Sequence, residues 1–203
     1  MNSPAKRRTD PERAQNRRNQ VLRAAAVCFA RSGFHGASMA EISKEAGMSA
    51  GHIYNYFDSK DAIIMAFVDL ESERVMSRLL ELDNNQDPLQ AMIDEAPMHI
   101  DESLTPEFFQ LPMEMCAEAA RNPKIAAALR AADVTAMRRF RPIIKRERER
   151  RNLSVDDHLL DGRIDTLIAL FQGLPVRALH SPELDRPSLV EGYRVALRAL
   201  LLT

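Results

Sequence analysis

Between Pro11 and Arg31 the apolar residues Val21, Leu22, Ala25, Cys28 and Phe29 recur at spacings of three and four, which gathers them on one helix face. No glycine interrupts this stretch, Pro11 suits a first helical turn after Asp10, and Gly33 follows as a residue able to close the helix in a left-handed conformation. Ser38 and Glu41 then have the spacing of a capping box, each side chain satisfying one orphan backbone donor. Ile42 and Ala46 mark the inner face of that second helix, and Gly47 ends it. Ser49 caps a predicted third helix over Ala50 to Phe57, with Ile53 and Phe57 facing inward. Asp58 or Ser59 caps a long amphipathic helix from Lys60 to Leu82 carrying Ile63, Ile64, Phe67, Val68, Leu79 and Leu80.

Beyond that helix, Asp83 to Pro88 reads as a turn-rich break. Pro97, Pro106, Pro112 and Pro123 divide the next segment into short helices. Ile125, Leu129, Ala132, Ala136, Phe140, Ile143 and Ile144 trace a long helix, with a kink expected at Pro142. Its tail, Lys145 to Arg151, is a charge run. The reading favoured is an exposed helix end whose cations suit the negative end of the helix dipole; a second nucleic-acid patch is the alternative. A helix over Val155 to Leu179 and a last one bearing Leu189 to Leu201 complete an all-α pattern. Gly173 and Gly192 sit inside these two helices, a cost of about 1 kcal/mol each against Ala that a close backbone approach would explain.

Composition agrees with helix: the 203 residues include only 7 Gly and no Trp, and 45% are apolar, enough for a sizeable core. Two cysteines, Cys28 and Cys116, make neither a disulfide scaffold nor a zinc site, so a reducing, cytoplasmic setting is expected. No apolar run approaches a membrane span, and the first residues lack the apolar stretch of a secretory signal. The formal net charge of -1 hides an asymmetry: residues 1–60 carry a net +5 and the remainder -6. A basic head on an acidic body suits one part touching a polyanion.

The first sixty residues supply the local reason. A helix, a tight glycine-containing turn and a short helix form the unit that lays its second helix in the DNA major groove. With Ile53 and Phe57 inward, Ala50, Gly51, His52, Tyr54, Asn55 and Tyr56 are left for the outside. Small residues at the helix start permit close approach to base edges, His52 and Asn55 can exchange hydrogen bonds with bases, and tyrosine hydroxyls and Lys60 reach phosphate. The run from Ser38 to Ile63 strongly resembles the DNA-binding head of the tetracycline-repressor (TetR/AcrR) family. The likeness is carried by Ile42, Ala46, Gly47, Met48, Ser49, Ile53, Tyr54, Tyr56, Phe57 and Lys60, with Ser43 where the family usually has Ala.

That resemblance implies a basic arm over residues 1–14 (Lys6, Arg7, Arg8), a helix-turn-helix domain over 15–62, and a helical ligand-binding and dimerisation domain over 63–203. It implies that Ser38, Ser49, Ala50, Gly51, His52, Tyr54, Asn55, Tyr56 and Lys60 face double-stranded DNA. It also implies a cavity for an unidentified small-molecule inducer in the Pro-rich middle, with Met92, Met98, Phe108, Phe109, Met113 and Phe140 as candidates. Glu95, Glu114, Glu118 and His99 could favour a cationic or hydrogen-bonding ligand there, while the reading favoured for most of them is a surface position. Ile164, Leu167, Phe171, Leu174, Tyr193, Leu197 and Leu200 are the candidates for a homodimer interface; closing the core of a single chain is the other role open to them. A repressor released from a palindromic operator is the function implied, and a ligand-independent DNA-binding regulator of the same fold the alternative. An enzyme has little support: there is no P-loop, no G-x-G-x-x-G and no H-E-x-x-H, and the five histidines form no i, i+4 metal pair. No cofactor is expected.

Overall fold

A computed structural model describes residues 11–203, and every regular element among them is an α-helix. In order these are α1 (Pro11–Gly36), α2 (Met39–Glu45), α3 (Ala50–Ile53), α4 (Lys60–Asp83), α5 (Pro88–Asp94), α6 (Ala96–Leu104), α7 (Pro106–Ala119), α8 (Pro123–Arg150), α9 (Asp157–His180) and α10 (Arg186–Leu202). The basic arm expected at Lys6, Arg7 and Arg8 lies outside the described residues.

The chain forms two units. The first comprises the described residues up to Val68 together with Glu114–Ala126; the second comprises Asp69–Met113 and Ala127–Thr203. Past the boundary expected at residues 62 and 63, α4 buries Ile63, Ile64, Ala66, Phe67 and Val68 in the first unit. That unit is built on Val21, Leu22, Ala25, Cys28, Phe29, Phe34, Ile42, Ile53 and Phe57, all buried. Its aromatic centre is Phe29, whose ring meets Phe34 at 5.4 Å and Phe67 at 6.1 Å, both edge-on.

The second unit packs α5, α6, α9 and α10 and the middle of α8 around Leu89, Ile93, Ile100, Phe140, Ile144, Leu160, Leu167 and Leu197. Prolines punctuate it less than the sequence suggests. Pro88 and Pro97 sit in first turns, where a missing N–H costs nothing, but Pro112 lies inside α7 and Pro142 inside α8. Each helix runs on through its proline because buried residues on both sides, Phe109 and Met115 in α7, Phe140 and Ile143 in α8, outweigh one lost backbone bond.

The charge run at the end of α8 is also not the exposed helix end expected. It continues the apolar stripe Phe140, Ile143, Ile144 at the same three-four spacing, which turns Glu147 and Arg148 inward; the Arg148 residue is 0% exposed. Its guanidinium donates to the carbonyls of Ser154 (2.9 Å), Leu201 (2.8 Å) and Thr203 (2.7 Å), tying the α8–α9 loop to the last turn of α10. Glu147 accepts from Arg146 and Arg150, while Lys145 pairs with Asp157, Arg146 with Asp83 and Arg151 with Asp87. These cations have carboxylate partners within the chain, which disfavours a second polyanion patch.

Candidate nucleic-acid interface

The turn between α1 and α2 depends on Gly33, at φ 68° and ψ 168°, a backbone region open essentially to glycine alone. Ser38 then caps α2 as its spacing predicted: Ser38 Oγ accepts from the Glu41 amide (3.2 Å) and Glu41 Oε2 accepts from the Ser38 amide (2.8 Å). The Ser38 backbone N–H, then its hydroxyl, hold the Glu41 carboxyl below the usual range. Gly47 ends α2 at φ 61°. Two ties at this turn were missed by sequence reasoning. Ser43 is buried and its hydroxyl donates to Met48 O at 2.7 Å, and Gln20 Nε2 of α1 donates to Ala46 O at 2.7 Å.

Ser49 Oγ accepts from the His52 amide at 3.3 Å and starts α3. The run Gly47-Met48-Ser49-Ala50-Gly51 also has the G-x-S-x-G spelling of a nucleophile elbow. It follows a helix rather than a strand, and the hydroxyl is engaged as a cap, so the structural context that spelling requires is missing. Regular helix ends at Ile53, short of the predicted Phe57. The chain continues as tight turns, with Tyr56 N donating to Ile53 O (3.0 Å) and Phe57 N to the same carbonyl (3.2 Å), and these still carry Phe57 inward.

Ile53 and Phe57 are buried, while Ser38, Ser49, Ala50, Gly51, His52, Tyr54 and Asn55 are exposed and Tyr56 is half-buried. Tyr54 is 50% exposed. His52 stands at the centre of a small polar cluster: its ring lies edge-on to Tyr56 at 5.4 Å, with Nε2 3.4 Å from the Tyr56 hydroxyl and Nδ1 3.3 Å from Asn55 Nδ2. Lys60 differs from the rest. Its ammonium donates to the carbonyls of Ala37 (2.6 Å), Phe34 (2.7 Å) and His35 (3.3 Å), so its donors are engaged within the chain.

In the second unit the six pocket candidates differ widely in exposure. Phe140 is buried, Phe109 is buried, and Met92 packs against the core, whereas Met98 and Phe108 are about half exposed. Glu114 and Glu118 belong to the first unit, apart from Glu95 and His99. A groove of about 420 Å³ lies instead between α9 and α10, lined by Leu170, Gly173, Leu174, Leu189, Gly192 and Tyr193 among others. A Cβ placed on Gly173 or Gly192 would meet nothing within 4 Å, so no close approach within the chain explains these glycines. The interface candidates Ile164, Leu167, Leu174, Tyr193 and Leu197 are buried in the core of the single chain, with Phe171 and Leu200 packed against it. The most apolar face of each helix was the one its own core had taken; Leu159, Val176, Leu179 and Val195 are the large apolar residues left exposed on α9 and α10.

His99 sits among Phe171 (4.3 Å, edge-on) and Tyr193 (6.0 Å, stacked). Burial, then the Arg78 guanidinium, pull its ionisation down to about 4, so the ring is neutral near pH 7. Burial raises the Tyr193 hydroxyl well above the usual phenol range.

Comparisons with known proteins agree with this geometry. The profile of bacterial regulatory proteins, tetR family, matches residues 21–67. The HTH-type transcriptional regulator UidR of Escherichia coli K12 is 36% identical over 125 residues, covering 60% of this chain. The matched stretch spans 61% of UidR's own length. CymR of Pseudomonas putida, another HTH-type transcriptional regulator, is 27% identical over 198 residues, covering 89% of this chain and 88% of CymR. Among solved structures, Salmonella enterica GusR superposes with a TM-score of 0.76 at 26% identity, over 96% of this chain and 98% of that one. The capped helix-turn-helix head is thus that of the tetR family of bacterial regulatory proteins, and the likeness to CymR and GusR, both under 30% identical, extends over nearly the whole chain.

Proposed function

We propose that this chain is a dimeric DNA-binding transcriptional regulator, a repressor that leaves a palindromic operator when a small molecule binds its second unit. The observation that carries the DNA reading is the outward set Ala50, Gly51, His52, Tyr54 and Asn55, held on a short capped helix over buried Ile53 and Phe57. Ala50 and Gly51 leave room for base edges, His52 and Asn55 offer donors and acceptors, and Tyr54 and Tyr56 bring hydroxyls within reach of phosphate. The net +5 over residues 1–60 supplies the field that draws a polyanion to this face.

A short helix reads only a few base pairs, and each good bidentate contact contributes about 1–3 kcal/mol, so a second copy is needed for a useful affinity. Support for a dimer comes from the outward face of α9 and α10, where Val176, Leu179 and Val195 stand exposed beside a groove floored by Gly173 and Gly192. Release by an inducer follows from linkage: a ligand with higher affinity for a splayed dimer weakens DNA binding by its differential affinity.

The test is selection of bound duplexes from a random DNA pool with the full chain. Two inverted half-sites about 10 base pairs apart are the expected product. Recovery of no enriched sequence, and no retarded duplex at low salt, would overturn the reading.

A further inference from the structure

The elbow that breaks α1 at Gly33, residues 33–37, is held from outside its own sequence neighbourhood. Gly33 places the Phe34 amide so that it donates to Glu114 Oε2 of α7 at 2.9 Å, and a Cβ on Gly33 would lie 3.5 Å from the same oxygen. One residue on, His35 Nδ1 lies 3.5 Å from Glu118 Oε2, a carboxylate only 3% exposed that also accepts from Arg121 Nε (3.0 Å) and Asn122 Nδ2 (3.3 Å). From α4, the Lys60 ammonium takes the carbonyls of Phe34, His35 and Ala37 and lies 4.8 Å from the Phe34 ring centroid. The donors and acceptors of this one elbow thus go to two distant helices, and the elbow leads directly into Ser38, the cap of α2.

We infer that Glu114 and Lys60 are positioning residues for DNA reading: they fix the elbow that aims α2 and α3. The inference rests on the DNA-binding reading above. Glu114 accepts the amide that the Gly33 conformation turns away from α1, and Lys60 neutralises the carbonyl end of the same turn. The clamp closes only when both are in place.

The test uses the full chain, the palindromic duplex recovered by selection, and fluorescence anisotropy across a range of salt. Glu114→Ala should weaken binding about tenfold, consistent with loss of a charge-assisted hydrogen bond, and should speed deuterium exchange of the Phe34 amide. Glu114→Gln keeps an oxygen acceptor and should restore binding to within about twofold, a rescue that a purely electrostatic role would not give. Lys60→Met should weaken binding and speed deuterium exchange across residues 34–37, a readout that loss of a phosphate contact alone would not move. Melting by circular dichroism shows whether each variant is folded, and the Gln rescue keeps the test decisive if the alanine variant is not. Wild-type affinity in Glu114→Ala, or unchanged exchange across residues 34–37 in Lys60→Met, overturns the clamp. A wild-type chain that binds no duplex overturns the DNA reading and the clamp together, so the two failures are distinct.

Discussion

Replacing Arg148 by alanine deletes a wholly buried guanidinium whose partners are three backbone carbonyls, at 2.7 to 2.9 Å, rather than a carboxylate. Burial, then the neighbouring Arg163 cation, hold its ionisation below the usual arginine value, so its interior position is costly before its bonds are counted. A hydrogen bond from a charged donor contributes about 1.5–3 kcal/mol net, and three of them exceed a desolvation cost of several kcal/mol by a modest margin. Truncation also strands the Leu201 carbonyl, in a residue that is itself buried, without this donor. A destabilisation of about 3 kcal/mol results, which in a chain of this length lowers the melting temperature by roughly 6–12 °C. Arg148→Met serves as the control that keeps the aliphatic stem and removes only the donors. Thermal melting followed by circular dichroism should place both variants below wild type, with methionine recovering the smaller share. If Arg148→Met melts within about 1 °C of wild type, the guanidinium contributes nothing net, and the packing of Leu197 and Leu201 alone fixes the end of α10.

Three further outcomes are expected. His99, held neutral with an ionisation near 4, makes the unfolded chain the stronger proton binder below about pH 6.5; stability is therefore complete above that pH and falls by about 3 kcal/mol on the way down to pH 4, and urea titrations of His99→Phe should lack this component. Val195→Glu, at a position 63% exposed on α10, should leave the melting temperature within about 2 °C of wild type but shift the chain to monomer in sedimentation, and an unchanged dimer would move the interface elsewhere. Tyr54→Ala should weaken binding evenly across sequences, whereas Asn55→Ala should alter the selected operator; identical selection profiles for Asn55→Ala and wild type would show that Asn55 reads no base.

The head was legible because its signals are local. Ser38 with Glu41, Gly33, Gly47 and Ser49 each act within four residues of themselves, and each is where its spacing predicted. Ser43 and Lys60 were harder, since a buried hydroxyl on Met48 O and an ammonium on Phe34 O are choices that only the folded turn makes available. In the second unit the apolar stripes of α9 and α10 were found, but a stripe does not say whether its partner is the same chain or another, and Ile164, Leu167 and Leu197 went to the core. Arg148 was within reach: it lies four residues past Ile144, on the stripe itself, yet its charge suggested an exposed helix end. The pocket candidates rested on residue type alone, which carries no information about neighbours; Phe108 and Met98 are exposed, Phe109 and Phe140 buried.

The return of residues Glu114–Ala126 to the first unit bears on how such proteins can be recombined. A chimera that grafts the opening 68 residues onto a foreign body would inherit the Phe34 amide without the carboxylate it meets in its parent. Operator-swapping hybrids within this family should accordingly transplant the α7–α8 corner along with the head, or else choose donors whose own corner supplies an acceptor at the same place.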